Sequence, residues 1–244
     1  MARLDQLVAR NLGLSRRVTT RLFKQKRIRD PHGEVLDPRA PVRPEAGNIE
    51  ITVDGQPETL VFASHVLLHK PAGVITAMKD ARHPVAWELV RDHPLAQELR
   101  PVGRLDLDTT GLLLWTTDGD LVHRLTHPRR KTPRRYHVAL NGPWSELPPD
   151  FAFDDGHVPD VVALDALQPS RRHPALPRPR AATHWAEITL RTGRFHEVKR
   201  IFAALGSEVV ALTRVSHGPV ELPPDLPSGH SIAIDLPTLV DGER

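Results

Sequence analysis

The 244-residue sequence contains no cysteine, and this absence excludes several kinds of chemistry. Disulfides, zinc thiolate sites, iron–sulfur clusters and thiol catalysis all require cysteine side chains. The sequence also lacks the run of about 18 apolar residues that a membrane-spanning helix needs, and it lacks an apolar signal-peptide core at its N-terminus. We therefore expect a cytoplasmic protein without a membrane contact, whose chemistry depends on carboxylates, hydroxyls, imidazoles or amines.

Basic residues are concentrated at one end of the chain. Residues 1–30 contain nine Lys and Arg against two Asp, a charge of +7, whereas the whole chain carries +3, so residues 31–244 sum to −4. This asymmetry is typical of proteins that bind nucleic acids. A second basic run precedes Tyr136 and could combine phosphate contacts with base stacking, although such a run alone is also typical of a solvated loop. It consists of Arg129, Arg130, Lys131, Arg134 and Arg135.

The N-terminal region is predicted to contain two short helices. Apolar residues recur at helical spacing over Leu4–Asn11 and Ser15–Lys26, and Gly13 separates the two segments. Ser15 has the hydroxyl expected of an N-cap for the second helix. Turn residues and short β-prone pieces follow, ending in the alternating strand Ile49–Val53 and the Asp54-Gly55 turn.

A domain boundary is predicted between Gln56 and Ala63, which separates a domain of residues 1–58 from one of residues 62–240. The second domain contains strands predicted at Val66–Leu68, Val74–Thr76, Arg100–Leu105, Leu112–Trp115, Tyr136–Leu140, His184–Arg191 and Val209–Val215. Its helices are predicted near Val85–Val90, from an Asp118 cap through Leu125, and along the core face Val198, Ile201, Phe202 and Leu205 up to Gly206. Strands and helices do not alternate strictly, so we predict an α+β fold with a mixed sheet.

The stretch Gly103–Gly111 places two carboxylates and two threonines between a predicted strand and a buried apolar run. Loops at strand ends carry catalytic groups because the scaffold fixes them and leaves them accessible. The spacing also fits a polar turn in which Asp108 or Thr109 caps backbone amides. A shared cation would require the loop to bring Asp106 and Asp108 together, and the sequence offers no third ligand, so we expect no metal.

Two further patterns have both a functional and an ordinary interpretation. His123 and His127 have zinc-ligand spacing, but Arg124 stands where metalloproteases have Glu, so solvated or RNA-facing histidines are favoured. Lys199 lies on the first turns of a predicted helix, where a cation opposes the helix dipole. Such a conflict can mark a functional position, and an ordinary surface lysine is the alternative.

The stretch Gly103–Leu114, followed by Thr117-Asp118-Gly119, resembles the signature of ribosomal RNA pseudouridine synthases of the small-subunit synthase A type. Further stretches agree in order and spacing, namely His69–Gly73, Arg135–Val138, Gly193–Arg200, Ala203–Gly206, and Arg214 with Gly218. At the N-terminus, Arg3–Asp5, Leu14–Arg17 and Arg21-Leu22 are similar to an S4-type RNA-binding domain. The resemblance implies a small S4-type α/β domain followed by a larger mixed-sheet catalytic domain.

The resemblance also implies a role for individual residues. Asp106 would be the catalytic nucleophile, Tyr136 would pack on the uracil and serve in proton removal, and Lys199 would pair with Asp106 and hold it ionised. Arg104 would fill the space left by the flipped nucleotide. The other expected RNA contacts are Arg3, Arg16, Arg17, Arg21, Lys24, Arg129, Arg130, Arg200 and Arg214.

The implied function is isomerisation of a uridine in 16S small-subunit ribosomal RNA by base flipping, without cofactor or metal. The expected partner is ribosomal RNA or a ribosomal-subunit assembly intermediate, and we expect a monomer. Alternatives are a synthase acting on 23S large-subunit RNA and a non-catalytic S4-type ribosome-assembly protein. A glycosidase using Asp106 with Asp108 is the disfavoured alternative.

The sequence departs from the family pattern at three places. His69 stands where the family commonly has Asn, Glu197 stands where it has Gln, and Arg29–Gly33 replaces the usual hairpin turn of the S4-type domain. These changes leave the catalytic set intact. They bear on RNA contacts, because an additional carboxylate near phosphate is unfavourable unless it is paired.

Overall fold

The computed structural model describes residues 2–242, which form two compact units. One unit contains the residues up to Ser64 together with His93–Glu98. The other contains His65–Asp92 and the residues from Leu99 onward. The division after Ser64 lies close to the boundary predicted from the sequence, whereas the grouping of His93–Glu98 with the N-terminal unit has no signal in the sequence.

The N-terminal unit contains two small antiparallel sheets and two helices. Its elements are β1 (Ala2–Arg3), α1 (Leu4–Asn11), α2 (Arg16–Lys24), β2 (Ile28–Arg29), β3 (Pro41–Val42), β4 (Ile49–Val53) and β5 (Gln56–Leu60), with 3₁₀ turns at Pro44–Ala46 and Ala96–Glu98. Strand β1 pairs with β3, and the other sheet has the order β2-β4-β5. The Ser15 hydroxyl accepts from the Val18 amide at 3.3 Å, which confirms the predicted cap of α2.

The core of this unit lies between the helices and the strands. Its buried side chains are Leu4, Leu7, Val8, Leu22, Phe23, Ile28, Val42, Ile51 and Leu60. The Asp54-Gly55 turn joins β4 to β5, and both residues have positive φ, at 54° and 80°. Two-residue hairpin turns of this kind match the twist of the strands they connect. The face of α2 away from the core exposes Arg16, Arg17, Arg21 and Lys24.

The second unit contains the remaining strands and helices of the described residues. Its strands are β6 (His65–Lys70), β7 (Arg100–Pro101), β8 (Thr110–Thr116), β9 (Arg134–Leu140), β10 (Val161–Ala166), β11 (His184–Leu190), β12 (Val209–His217), β13 (Val220–Glu221) and β14 (Ser231–Ala233). Its helices are α3 (Gly119–Thr126), α4 (Glu197–Ala204) and α5 (Leu236–Asp241), with 3₁₀ turns at Ala86–Leu89, Pro128–Arg130 and Pro169–Arg171. Of the helices described, none is both long and apolar enough to span a bilayer.

Within the described residues, these nine strands form one sheet of mixed direction. The main order is β10-β11-β9-β12-β8-β6-β14, with β13 paired to β12 and β7 paired to β8. The β12–β8 pair is parallel and the other pairs are antiparallel. Every residue of β8 is buried, as expected for a central strand with an apolar sequence. The predicted α+β class with a mixed sheet is confirmed.

Helix α4 covers the part of the sheet that includes β9, β11 and β12. Val198, Ile201, Phe202 and Leu205 are buried in one cluster with the apolar side chains of those strands, which confirms the predicted core face. Gly206 follows the helix with φ 86°, a conformation that favours glycine at a helix end. Lys199 therefore comes from a helix whose orientation is fixed by packing.

Two predicted strands are wrong or too long. Val74–Thr76 forms no strand and contributes only an isolated bridge between Ile75 and Val85, because β6 pairs instead with β8 and β14. The predicted strand Arg100–Leu105 ends at Pro101, since the chain leaves the sheet there to enter the loop of Asp106. Hydrogen bonds between the Thr76 hydroxyl and the Leu105 backbone hold both segments in their irregular paths.

Candidate active site

The loop that carries Asp106 is fixed by two side chains from earlier in the chain. The Thr76 hydroxyl donates to the Leu105 carbonyl at 3.0 Å and accepts from the Leu105 amide at 3.1 Å. The Lys70 ammonium group donates to the carbonyls of Pro71 and Thr109, at 2.9 and 2.8 Å. These contacts restrain the loop on both sides of Asp106, as a catalytic side chain requires.

Lys70 is fully buried, which is unusual for a lysine. Burial lowers its pKa to about 8, although the negative charges of Asp108 and Asp106 act in the opposite direction. At neutral pH the side chain therefore remains largely protonated and can donate to the loop carbonyls. The sequence contained Lys70 only as part of a motif and gave no sign that its ammonium group anchors the loop.

Strands β8 and β12 approach each other closely at Gly111. This residue pairs with Arg214 across the parallel ladder and has φ 106°. A Cβ atom placed there would lie 2.3 Å from the backbone oxygen of Arg214. Only glycine fits this contact, which brings Arg214 beside the end of the Asp106 loop.

Lys199 donates its hydrogen bonds to Asp108, and Asp106 lies farther away. Its Nζ atom is 2.6 and 2.8 Å from the carboxylate oxygens of Asp108 and 3.9 Å from Oδ2 of Asp106. The expected pairing of Lys199 with Asp106 is present as an ion pair at 3.9 Å, whereas the hydrogen bonds of the lysine go to Asp108. The two carboxylates share one lysine because residues 106–109 form a turn, in which the Thr109 amide donates to the Asp106 carbonyl at 3.2 Å. This turn corrects the extended strand that the sequence suggested for these residues.

Asp108 is ionised more readily than an ordinary aspartate. Partial burial alone would raise its pKa, but the hydrogen bonds and positive charge of Lys199 outweigh that effect and the pKa of Asp108 is lowered. The side chain of Asp108 is 69% exposed, compared with 32% for Asp106. The two carboxylates thus differ in position, with Asp106 the more enclosed.

Tyr136 and Arg214 are neighbours across the β9–β12 pair. Arg214 is 1% exposed, and its Nε atom donates to the Leu112 carbonyl at 2.9 Å. Burial lowers the pKa of Arg214, an effect that the nearby Tyr136 opposes. Among the described residues, Nη2 of Arg214 has no hydrogen-bond partner. Arg214 is therefore a buried cation in the lining of a cavity, and the RNA contact expected of it stays a prediction.

Asp106 lies in the lining of a cavity of about 780 Å³, within the range of sites that bind small ligands. The segments that contribute are distant in the sequence and come together through the sheet and α4. The cavity is lined by the expected functional residues Arg104, Asp106, Tyr136, Lys199 and Arg214. Arg104 is exposed, Tyr136 is half-buried, and Arg214 is buried, so the expected residues occupy successive depths.

Phe195 and His196 also line this cavity, and the sequence contained them only as part of a longer motif. His196 Nε2 lies 3.6 Å from Oδ2 of Asp106, slightly closer than the ammonium group of Lys199. The backbone of His196 is left-handed, with φ 53°, and its ring stacks on that of Phe195 with centroids 3.7 Å apart. A positive φ at a non-glycine residue beside the Asp106 loop can mark a functional position, and only the structure shows it.

Glu197 does not act as an unpaired carboxylate at the RNA surface. Its side chain is buried, and its oxygens contact His157 Nε2 at 2.6 Å and accept from the Arg194 amide at 3.0 Å. Phe153 stacks on the ring of His157, with centroids 5.8 Å apart. The substitution of Gln by Glu is thus accommodated by a local pair that fixes the turn before α4.

Comparisons with known proteins agree on one family. The model of the family described as RNA pseudouridylate synthase matches residues 64–204, more than half of the chain. A ribosomal small subunit pseudouridine synthase A from Yersinia pestis is 34% identical over 93% of this chain and 92% of its own length. The protein of that name from Escherichia coli K12 is 32% identical, over 93% and 94% respectively. A crystal structure of a pseudouridylate synthase covers 98% of both chains at 28% identity, with a TM-score of 0.55.

The chain belongs to the RNA pseudouridylate synthase family. The matched range of this pseudouridine synthase contains Asp106, Tyr136 and Lys199, three residues that the fold brings into one cavity. The S4-type interpretation of the N-terminal unit lies mostly outside that range and stays a prediction. As an RNA pseudouridine synthase, the protein is an isomerase.

The basic residues expected to bind RNA have different surroundings in this synthase. Arg129 and Arg130 are exposed in the turn before β9. Arg200 contacts Asp155 at 3.0 Å and lies over the ring of Phe153 at 4.0 Å, outside the cavity lining. Arg3 is exposed and paired with Asp5, and the α2 cations Arg16, Arg17, Arg21 and Lys24 border a shallow depression together with Thr20.

No group of three or more histidines, aspartates and glutamates among residues 2–242 is placed to hold a metal ion. His123 and His127 do lie together, with ring centroids 4.6 Å apart. Arg124, between them in sequence, pairs with Asp241 at 2.6 Å. The pair thus has the proximity but not the additional ligand that a metal site requires.

Proposed function

We propose that this synthase converts a uridine of 16S small-subunit ribosomal RNA to pseudouridine, with Asp106 as the nucleophile. The observation that carries the proposal is the convergence of Asp106, Tyr136 and Lys199 from three distant segments on one cavity. The two relatives named above are small-subunit synthases, and they align with this chain over 92% and 94% of their own length. This similarity supports the choice of substrate. A cleft of this size suits a nucleotide turned out of its helix.

The reaction breaks the bond between ribose C1′ and uracil N1, turns the ring, and joins C1′ to C5. The C5 proton leaves and N1 gains a proton, so no oxidation and no net hydrolysis occur. A carboxylate that attacks C1′ holds the ribose while the uracil turns. Asp106 can supply this carboxylate without a cofactor or a metal.

The target uridine must leave its stack before its base can turn, at a cost on the order of a few kcal/mol. Arg104 is exposed at the cavity lining and fills the space that the nucleotide leaves in the RNA. Tyr136 is half-buried on β9, packs against the extruded uracil and takes part in removing the C5 proton. These two contacts offset the cost of extrusion.

Two side chains lie beside the carboxylate of Asp106 and orient it toward the ribose. His196 and Lys199 lie 3.6 and 3.9 Å from its Oδ2 atom. Asp108 holds Lys199 at hydrogen-bond distance, so the ammonium group is fixed beside Asp106 without forming a tight pair with it. An attacking carboxylate that is not locked in a short ion pair keeps more of its nucleophilicity.

The N-terminal unit supplies the RNA affinity in this proposal. The exposed cations of α2, together with Arg3, suit contacts to phosphates, which position RNA without reading its sequence. The substrate is ribosomal RNA, free or in a subunit-assembly intermediate, and the enzyme acts as a monomer in the cytoplasm. Exposed Arg129 and Arg130 extend the phosphate contacts in the catalytic unit, and Arg200 reinforces them from α4.

The experiment compares the purified enzyme on 16S RNA, on 23S RNA and on partly assembled small-subunit particles. Pseudouridines are mapped by carbodiimide-blocked primer extension. The proposal predicts one new stop in 16S RNA or its particle and none in 23S RNA. A stop confined to 23S RNA would reassign the substrate, and binding without any stop would favour the ribosome-assembly alternative.

A further inference from the structure

Phe195 is the most exposed large apolar side chain in the described part of the chain, at 76%. The other exposed apolar side chains in that set are aliphatic, and the next is Val158 at 63%. An isolated exposed apolar residue is common on protein surfaces. An exposed aromatic ring in the lining of a catalytic cavity is a different case, because rings are usually buried or used for recognition.

The ring of Phe195 stacks on His196, which in turn contacts Asp106. It lies 3.7 Å from the ring of His196, centroid to centroid, with an angle of 19° between the planes. His196 in turn lies 3.6 Å from Asp106. One face of Phe195 is therefore covered by an imidazole, and its high exposure leaves the opposite face open to solvent.

The segment that carries Phe195 is held in place by its own backbone. The Arg194 amide donates to the buried carboxylate of Glu197, and the Glu197 amide donates to the Arg194 carbonyl at 3.2 Å. The Arg200 amide donates to the His196 carbonyl at 2.9 Å. A segment held in this way loses little conformational entropy when a ligand stacks on its aromatic ring.

The charges near Phe195 indicate what kind of ligand would stack there. Arg194 and Arg104 are exposed, and both line the same cavity. Positive charge beside an open aromatic face is the combination that binds single-stranded nucleic acid, with phosphates on the cations and a base on the ring. An uncharged aliphatic ligand would make no use of the two guanidinium groups.

We propose that Phe195 is a stacking site for a second nucleobase, an unpaired base of the same RNA strand that lies next to the flipped uridine. The inference rests on the proposed function, since the RNA strand is the substrate of the cavity. The stack of Phe195 on His196 would hold that neighbouring base while Asp106 acts on the target. The site is sequence-tolerant, because every base has a face that can stack.

The test compares Phe195→Ala and Phe195→Trp with the wild type, using RNA that carries 5-tritiated uridine. Base stacking on an aromatic residue predicts that Phe195→Ala raises KM by about 5- to 100-fold with kcat little changed. Phe195→Trp keeps a KM close to that of the wild type, since it retains a ring. Val158→Ala, which removes another exposed apolar side chain of the same unit, is the matched control and leaves KM unchanged.

A second set of RNAs identifies the base. Each RNA lacks the base at one position flanking the target, and its binding is measured by fluorescence anisotropy alongside turnover. One abasic position should weaken binding to the wild type and to Phe195→Trp, with no further loss in Phe195→Ala. Equal losses in all three proteins would overturn the stacking site, as would a fall in kcat at constant KM in Phe195→Ala. Wild-type binding without turnover on any RNA would count against the proposed function, while the abasic comparison would still decide the stacking site.

Discussion

Lys199 lies between two carboxylates, 2.6 Å from Asp108 and 3.9 Å from Asp106. The shorter contact goes to the more exposed carboxylate. Asp108 therefore serves to position the lysine, and Asp106 is left with an accessible oxygen near a fixed positive charge. This relationship separates the roles of two aspartates that are only two residues apart.

Loss of Lys199 should lower activity more than loss of Asp108. In Lys199→Met the positive charge near Asp106 is lost, and we expect kcat to fall by about 100- to 1,000-fold, the range for loss of one preorganised charged or donor group. In Asp108→Asn the lysine remains but is held less firmly, and a fall of about tenfold, or ~1.4 kcal/mol in the barrier, is expected. Single-turnover rates measure both, and a larger effect in Asp108→Asn than in Lys199→Met would contradict the assignment.

The buried contact between Glu197 and His157 should be important for stability. In His157→Ala the Glu197 carboxylate keeps only the Arg194 amide as its partner, and an unpaired buried charge should cost about 3–5 kcal/mol of the free energy of unfolding. Glu197→Gln alone should change stability little, because its amide can still bond to both groups. The double variant should recover at least ~1 kcal/mol relative to His157→Ala in urea unfolding. Absence of that recovery would show that the pair carries no buried charge.

The sequence predicted the elements whose packing follows from local patterns. The apolar run Leu112–Trp115, the Asp118 cap and the core face of α4 all appear as expected, because periodicity and capping act within a few residues. Asp118 accepts from the amides of Asp120 and Leu121 at 2.8 and 3.3 Å. The mixed sheet could be predicted from the order of these elements, because strands and helices do not alternate strictly.

What the sequence did not predict depends on contacts between distant residues. Val74–Thr76 has the β-branched composition of a strand. The segment is nevertheless irregular, because the Thr76 hydroxyl forms hydrogen bonds with the carbonyl and the amide of Leu105. The turn that brings Asp108 to Lys199, and the left-handed His196, likewise arise from tertiary packing. A propensity calculated along the chain contains none of this information.

The buried Lys70 predicts a pH dependence of stability. Its folded-state pKa of about 8 lies below the ordinary value of 10.5, so the folded protein binds fewer protons than the unfolded chain between these values. Stability contributed by this group is therefore lowest below pH 8 and rises as the pH approaches 10.5. The free energy of unfolding of the wild type minus that of Lys70→Met should shift in favour of the wild type by about 2 kcal/mol between pH 7 and pH 10. A difference that is constant over this interval would contradict a buried, titrating ammonium group.

The contact between β8 and β12 makes Gly111 a sensitive position. Gly111→Ala would place Cβ 2.3 Å from the Arg214 carbonyl oxygen, in a backbone conformation with φ 106°. We expect a loss of about 3 kcal/mol or more, because two backbones would have to separate. Gly119→Ala is the control, since nothing lies within 4 Å of its added Cβ, and it should stay within about 0.5 kcal/mol of the wild type. Equal melting temperatures for the two variants would contradict the close approach.

The central claim is that Asp106 carries out the chemistry and is not merely a structural residue of its turn. Asp106→Asn preserves the size of the side chain while removing the charge and most of the nucleophilicity. We predict that this variant binds its ribosomal RNA with wild-type affinity but releases no tritium from 5-tritiated uridine in that RNA. Tritium release at the wild-type rate would contradict the account.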